Sequence, residues 1–206
     1  MLLGLGTGST AEHALELLGE RVTGGLAITG VPTSERTAMR ARGLGIPLRA
    51  FEPGQSIDLA IDGADEVSPQ LDLIKGLGGA LLREKQVESC AEQLVIIIDD
   101  SKLVERLGRG LLPVEVATVD TDTTLAQLRA LGCKAELRRD AGAPFVTDNG
   151  NWIAHLSFTE GIGDPAVFDT QLHALPGVIG TGLFLGMADI VFCAGPEGVR
   201  RLERTS

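Results

Sequence analysis

Residues 2–10, LLGLGTGST, run from a short apolar stretch into a glycine turn and on into hydroxyl residues that open an amphipathic segment. Residues 2–5 read as a strand, and Ala11, Ala14, Leu15 and Leu18 fall on one face of a helix over about 9–18. A strand that passes through glycines into a helix is the opening of an open α/β sheet. Backbone N–H groups around Gly6 and Gly8, with the hydroxyls of Thr7, Ser9 and Thr10 at a helix amino terminus, form a cradle for phosphate or another oxyanion. The dinucleotide fingerprint is absent, because position 9 is Ser and no acidic residue ends the next strand near 29–31. A Walker A loop is absent too, since no Gly-Lys-Ser/Thr follows. A tight strand-to-helix turn without a ligand is the competing reading.

Outward from this turn the alternation continues. A strand is expected at 26–28, then a helix in TSERTAMRARGLG capped by Thr33 or Ser34 and stopped near Gly43. Strands follow at 59–62 and 94–99, the latter LVIIID, apolar like a strand buried on both faces. From about Leu111 the texture changes. PVEVATVDTDTTLAQLRALG gives strand, capped helix and glycine stop, and KAELRR and PFVTDNGNWIAHLSF give strands, with a hairpin at Asp148, Asn149 and Gly150. Pro165 opens a helix to about Ala174, and ADIVFCAG (188–195) returns as a buried strand with a terminal helix expected after it. The fold expected is α/β: a largely parallel sheet flanked by helices over 1–110 and 181–206, with a smaller α+β domain inserted at 111–180.

Composition excludes several function classes. The formal charge of −10 disfavours nucleic acid and anionic membrane surfaces, and six Phe, one Trp and no Tyr leave few base-stacking platforms. Residues 170–188 lack charged side chains, but four glycines and a proline there read as turn, strand and helix end rather than a membrane span. Cys90, Cys133 and Cys193 have no metal-ligand spacing and read as thiols in a reducing cytosol. The three histidines, at 13, 155 and 173, are scattered and read as core or surface residues. Trp152 reads as core of the small domain.

Three further clusters carry candidate chemistry. IDGADEVSPQ sets Asp62 and Asp65 just beyond a buried strand, with Gly63 and Ala64 keeping the turn between them small, so both carboxylates can reach the crevice outside the sheet. Helix capping and Mg²⁺ binding by hard oxygen ligands compete with that reading. In LIKGLGGALLREK, Lys75 precedes a flexible backbone nest suited to an anionic oxygen. A helix starting near Gly79 would place Glu84 about a turn and a half inside, as a proton shuttle or, alternatively, as a surface ion-pair residue. DDSK puts Lys102 beyond the LVIIID strand. Polar clusters at four strand ends are expected to face one crevice.

GLGTGST, DGADE, LIKGLGGALLREK, DDSK, LLPVEV and VTDNGN occur here in an order and spacing that resembles ribose-5-phosphate isomerase, type A, over nearly the whole chain. The resemblance implies a Rossmann-like domain carrying a smaller ferredoxin-like domain, and interconversion of D-ribose 5-phosphate and D-ribulose 5-phosphate without metal or organic cofactor. It implies Glu84 as catalytic base, Asp62 and Asp65 in ring opening and hydroxyl proton movement, and Lys75 on the enediolate. It further implies substrate contacts from Thr7, Gly8, Ser9 and Thr10, from Gly63 and Ala64, from Gly76, Leu77 and Gly78, and from Lys102. A cytoplasmic homodimer or homotetramer with a sugar phosphate as its partner is implied as well. A non-catalytic sugar-phosphate sensor of related fold is the alternative.

Two departures from the family pattern stand out. Only Met1, Leu2 and Leu3 precede Gly4, where the resemblance implies a helix and more of the first strand, so either the natural start lies upstream of Met1 or the domain lacks a packing helix. Leu77 stands where a further glycine is common, which asks whether that position needs a positive φ.

Overall fold

The computed structural model describes residues 1–52 and 54–204. In chain order it begins with β1 (Leu2–Leu5), α1 (Ser9–Thr23), β2 (Thr29–Pro32), α2 (Glu35–Gly43) and β3 (Leu59–Asp62). Short strands β4 (Glu66–Val67) and β5 (Leu73–Ile74) follow, then α3 (Leu81–Glu88), β6 (Leu94–Asp99) and a 3-10 turn over Asp100–Lys102. Next come β7 (Leu112–Val116), α4 (Thr121–Ala130), β8 (Lys134–Leu137), β9 (Arg139–Asp140), β10 (Ala143–Pro144) and β11 (Trp152–Ser157). The chain ends with α5 (Pro165–His173), β12 (Val178–Thr181), β13 (Leu183–Phe184), β14 (Ile190–Gly195) and β15 (Gly198–Glu203).

These elements form two compact units. The first comprises Met1–Ala64, Arg83–Lys102 and Met187–Ser206, and the second Asp65–Leu82 and Leu103–Gly186. The first is built on a six-stranded sheet in the order β15-β14-β6-β3-β1-β2, parallel except for β15. Leu3 and Leu5 of β1 pack with Leu15 of α1, Ile28, Ala41 of α2 and Ile46. That apolar contact holds both helices to the sheet. Ser34 caps α2 by accepting a hydrogen bond from Thr37 N at 3.0 Å, as the local signal predicts.

Four local expectations change. The second strand is TGVP at 29–32 rather than LAI at 26–28, because pairing with β1 sets Leu2 opposite Thr29 and leaves Ile28 as a core residue before the strand. Helix α1 runs past Leu18 to Thr23, passing through Gly19, which is buried against Leu44. In β6 one face is fully buried, through Leu94, Ile96 and Ile98, while Val95 and Ile97 are half-buried. The expected terminal helix is instead β15. Pro196 and Glu197 make a two-residue connection that brings Gly198 opposite Gly195, so the chain folds back as an antiparallel hairpin.

In the second unit, β7-α4-β8-β11-α5-β12 form a βαββαβ arrangement with an antiparallel sheet in the order β12-β7-β11-β8, which is ferredoxin-like. Its core takes Val114 and Val116 from β7, Leu125 and Leu128 from α4, Ala154 and Leu156 from β11, and Phe168 and Leu172 from α5. Trp152 packs at the edge of this core. Asp164 caps α5, accepting from Ala166 N and Val167 N. Asp120 before α4 is in the left-handed region and makes no side-chain cap. A second, three-stranded antiparallel sheet runs β13-β5-β4. Among the described residues no helix is long and apolar enough to cross a membrane.

Candidate active site

In the first unit the site is built on the β1–α1 turn. Gly6 N donates to Ile61 O at 3.0 Å, so the chain stays on the sheet as it leaves β1. A Cβ at Gly6 would lie 2.1 Å from the Asp62 carboxyl group, which places the turn's backbone directly on that side chain. Asp62 is fully buried at 0% exposure. Its Oδ1 accepts from Thr7 N at 3.0 Å and Gly63 N at 2.7 Å. The carboxylate at the end of β3 thereby ties the glycine turn to the DGAD turn through charge-assisted bonds. Gly8 precedes α1 and provides no side-chain cap, so the amino-terminal N–H groups and the adjoining Ser9 and Thr10 hydroxyls retain capacity for an anion.

Four hydroxyls lock this turn from beneath. Thr7 Oγ1 lies 2.8 Å from Thr33 Oγ1, 2.8 Å from Ser34 Oγ and 3.0 Å from Thr37 Oγ1. Ser34 donates to Thr37, and Thr37 donates to Gly6 O at 2.9 Å, so the chain of bonds returns to the loop it started from. Thr33 donates to Leu5 O at 3.0 Å. The sequence pattern marks TSERT only as a helix cap. Its second role, holding Thr7, depends on contacts about 30 residues distant in sequence and has no local signature.

Glu84 is the fourth residue of α3, in its first turn rather than a turn and a half inside, because the helix starts at Leu81 and not near Gly79. It is 2% exposed. The surface ion pair belongs to its neighbour Arg83, whose Nη1 is 2.9 Å from Glu35 Oε1. A first-turn carboxylate lies at the positive end of the helix dipole. Lys102 is half-buried and ends the 3-10 turn after β6. The Ser101 side chain hydrogen-bonds the exposed Asp99 carboxyl, which with the Lys102 charge holds it below the usual carboxylate range.

The second unit contains Asp65, Lys75 and the glycine loop. Lys75 follows β5, so it ends a strand of the small antiparallel sheet. The lysine is 2% exposed, and its Nζ sits 5.4 Å from the centroid of the Phe184 ring, a cation–π contact. Asp65 N donates to Ile74 O at 2.8 Å, and Asp65 Oδ2 accepts from Leu77 N at 3.0 Å. The loop closes by Gly79 N donating to Gly76 O at 2.9 Å. Leu77 is not among the described non-glycine residues with positive φ, so its side chain fits this position without backbone strain. Glu66, unmarked by the sequence reading, is buried and accepts from Gly108 N at 2.7 Å and Gly110 N at 2.5 Å. Among the described residues no group of three or more His, Cys, Asp or Glu side chains could hold a metal ion.

A Rossmann-like sheet with a βαββαβ unit, buried carboxylates at Asp62 and Glu84 and a buried ammonium at Lys75 define an α/β enzyme. The chain belongs to the ribose-5-phosphate isomerase A family: the family described as Ribose 5-phosphate isomerase A (phosphoriboisomerase A) matches residues 29–198. A ribose-5-phosphate isomerase A from Roseiflexus castenholzii is 51% identical over 207 residues, covering 98% of this chain and 88% of its own. The structure of a ribose 5-phosphate isomerase from Plasmodium falciparum superposes with a TM-score of 0.96 at 38% identity, covering 100% of this chain and 92% of that one. A D-ribose-5-phosphate isomerase solved in complex with phospho-erythronic acid gives a TM-score of 0.95 at 41% identity, covering 99% of this chain and 91% of that one.

Proposed function

We propose that this protein interconverts D-ribose 5-phosphate and D-ribulose 5-phosphate through a cis-enediolate. Family membership supports the overall reaction. The burial of Glu84 in the first turn of α3 is the observation that carries its role as base. The open-chain aldose loses its C2 proton to the Glu84 carboxylate, and the electron pair moves to the C1 carbonyl oxygen to give the enediolate. Glu84 then returns the proton to C1, and the second oxygen becomes the C2 carbonyl. Transfer of the C2 hydroxyl proton to the C1 oxygen completes the balance, and we assign that movement, with ring opening, to Asp62 and Asp65. The Lys75 ammonium stabilises the developing oxyanion at a water-poor position.

Phosphate binding is assigned to the β1–α1 turn, through Gly8, Ser9 and Thr10 and the amino end of α1. Thr7 contributes to this turn as its lock, because its hydroxyl and N–H are both engaged within the protein. Gly63, Ala64, Gly76, Leu77, Gly78 and Lys102 are assigned to substrate contacts. Binding energy from the remote phosphate is then available to position C1 and C2 against the base. Phospho-erythronic acid, held by one relative, carries a carboxylate and a phosphate on a four-carbon chain, the charge pattern of an enediolate phosphate.

This reading makes the protein a cytoplasmic homodimer or homotetramer, and light scattering on the purified chain would contradict the assembly by returning a monomer mass. The activity itself is tested by following ribulose 5-phosphate formation with phospho-erythronic acid as a competitor. Turnover that the analogue inhibits, and that chelator leaves unchanged, is expected. Analogue binding without turnover would make the protein a sugar-phosphate sensor.

A further inference from the structure

The motifs LLPVEV and VTDNGN contain none of the residues assigned to substrate, yet their side chains meet. Glu115 of β7 is 0% exposed, and its Oε1 accepts from Thr147 Oγ1 at 3.0 Å, Asn149 Nδ2 at 3.1 Å and Asn151 Nδ2 at 2.9 Å. One buried carboxylate oxygen thus fixes the turn between Val146 and Trp152. Phe145 stands just before that turn, its N–H donating to Arg138 O at 2.9 Å. The Arg138 guanidinium lies over the Phe145 ring, 3.7 Å from its centroid. Such a stack leaves the edge of the guanidinium plane free to donate. Arg138 Nη1 uses that edge on the glycine loop, donating to Leu77 O at 2.8 Å. Gly79 is pressed against the same pair: at φ +88 it has no room for a Cβ, which would lie 2.4 Å from the Phe145 ring.

We propose that Arg138, stacked on Phe145, is a positioning residue that sets the orientation of the Leu77–Gly78 peptide and thereby aims the Gly78 N–H at the enediolate oxygen. The proposal rests on the isomerase reading above. A trans peptide is planar, with its C=O and N–H pointing in opposite directions. Holding Leu77 O on Arg138 therefore turns the Gly78 N–H to the other side of the loop. The other N–H groups of the loop's centre are committed, Leu77 N to Asp65 and Gly79 N to Gly76 O. Gly78 is exposed, so its donor can meet a ligand. A loop with three glycines among four residues has many alternative peptide orientations, and a fixed carbonyl removes them before substrate arrives.

The test compares wild-type, R138M, R138K and F145L proteins by melting temperature, by kcat and KM for ribose 5-phosphate, and by Kd for phospho-erythronic acid. For R138M a fall of about tenfold in kcat, KM within about twofold, and a rise of about tenfold in analogue Kd are expected, since one misaimed oxyanion donor costs less than the 10²–10³-fold of one deleted. R138K keeps a donor for Leu77 O and should recover part of the loss. F145L, which leaves Arg138 in place without its stacking face, should shift kcat in the same direction and carries the test if R138M does not fold. Adding G78P, which removes the N–H itself, should make R138M silent in the double variant. Folded R138M or F145L with wild-type kcat and analogue Kd would overturn the proposal, as would additive losses in R138M/G78P. A wild-type chain that binds the analogue without isomerising the sugar would overturn the isomerase reading, and this positioning role with it.

Discussion

The two glycine loops of this protein are held by opposite chemistry. The β1–α1 turn in the first unit is fixed by a relay of neutral hydroxyls around Thr7 and by a buried carboxylate that accepts the Thr7 N–H. The 76–79 loop in the second unit is fixed from the carbonyl side by a guanidinium, with Asp65 taking one N–H. The difference matches what each loop is proposed to bind. A turn assigned to a phosphate faces full negative charge in every state of the reaction, so it needs a stable set of donors at a helix end. A loop beside Lys75 meets charge that appears only in the transition state, where the direction of a donor matters most.

Between the two loops, the larger effect should come from the charge beside the second. K75M keeps an unbranched side chain against Phe184 but removes the ammonium, and kcat is expected to fall about 10²–10³-fold with KM little changed. A folded K75M enzyme with wild-type kcat would show that both loops serve binding alone. A smaller effect is expected at the first loop's lock. T37V leaves Gly6 O without its hydroxyl donor, which should lower stability by about 1–2 kcal/mol in urea titration and raise KM more than it lowers kcat. A T37V loss confined to kcat would erase the distinction between the two loops.

The smallest effect concerns the sheet that supports the second loop. Burial and, secondarily, the Arg138 charge hold the His155 imidazole below its ordinary range. The folded state therefore binds the proton less readily than the unfolded chain. Its stabilising contribution is fully present above the unfolded pKa of about 6.5 and is lost as pH falls below that value toward the folded one. Unfolding midpoints between pH 7.5 and 5.5 should fall less in H155Q than in wild type. Equal slopes would place the acid sensitivity elsewhere.

Much of the first unit is legible because its signals are local. The β1 strand, the glycine turn and the Ser34 cap each depend on neighbours within a few residues. The second strand and the carboxyl-terminal hairpin differ from the local expectation because sheet pairing sets them. TGVP becomes a strand opposite β1, and GVRRLE is drawn back along β14 by a two-residue turn. Family motifs identify Glu84 and Lys75 as candidates, but composition alone favours a surface position for a glutamate between Arg83 and Lys85, and only the fold places it inside. Arg138 and Phe145 lie about 60 residues from the loop they touch, and no local pattern marks them.

The central claim is that Glu84 is the base. E84Q keeps the shape of the side chain and removes its ability to accept and return a proton, so kcat should fall about 10³-fold or more while the melting temperature and phospho-erythronic acid affinity stay near wild type. A folded E84Q protein that binds the analogue and turns over ribose 5-phosphate at close to the wild-type rate would contradict the account.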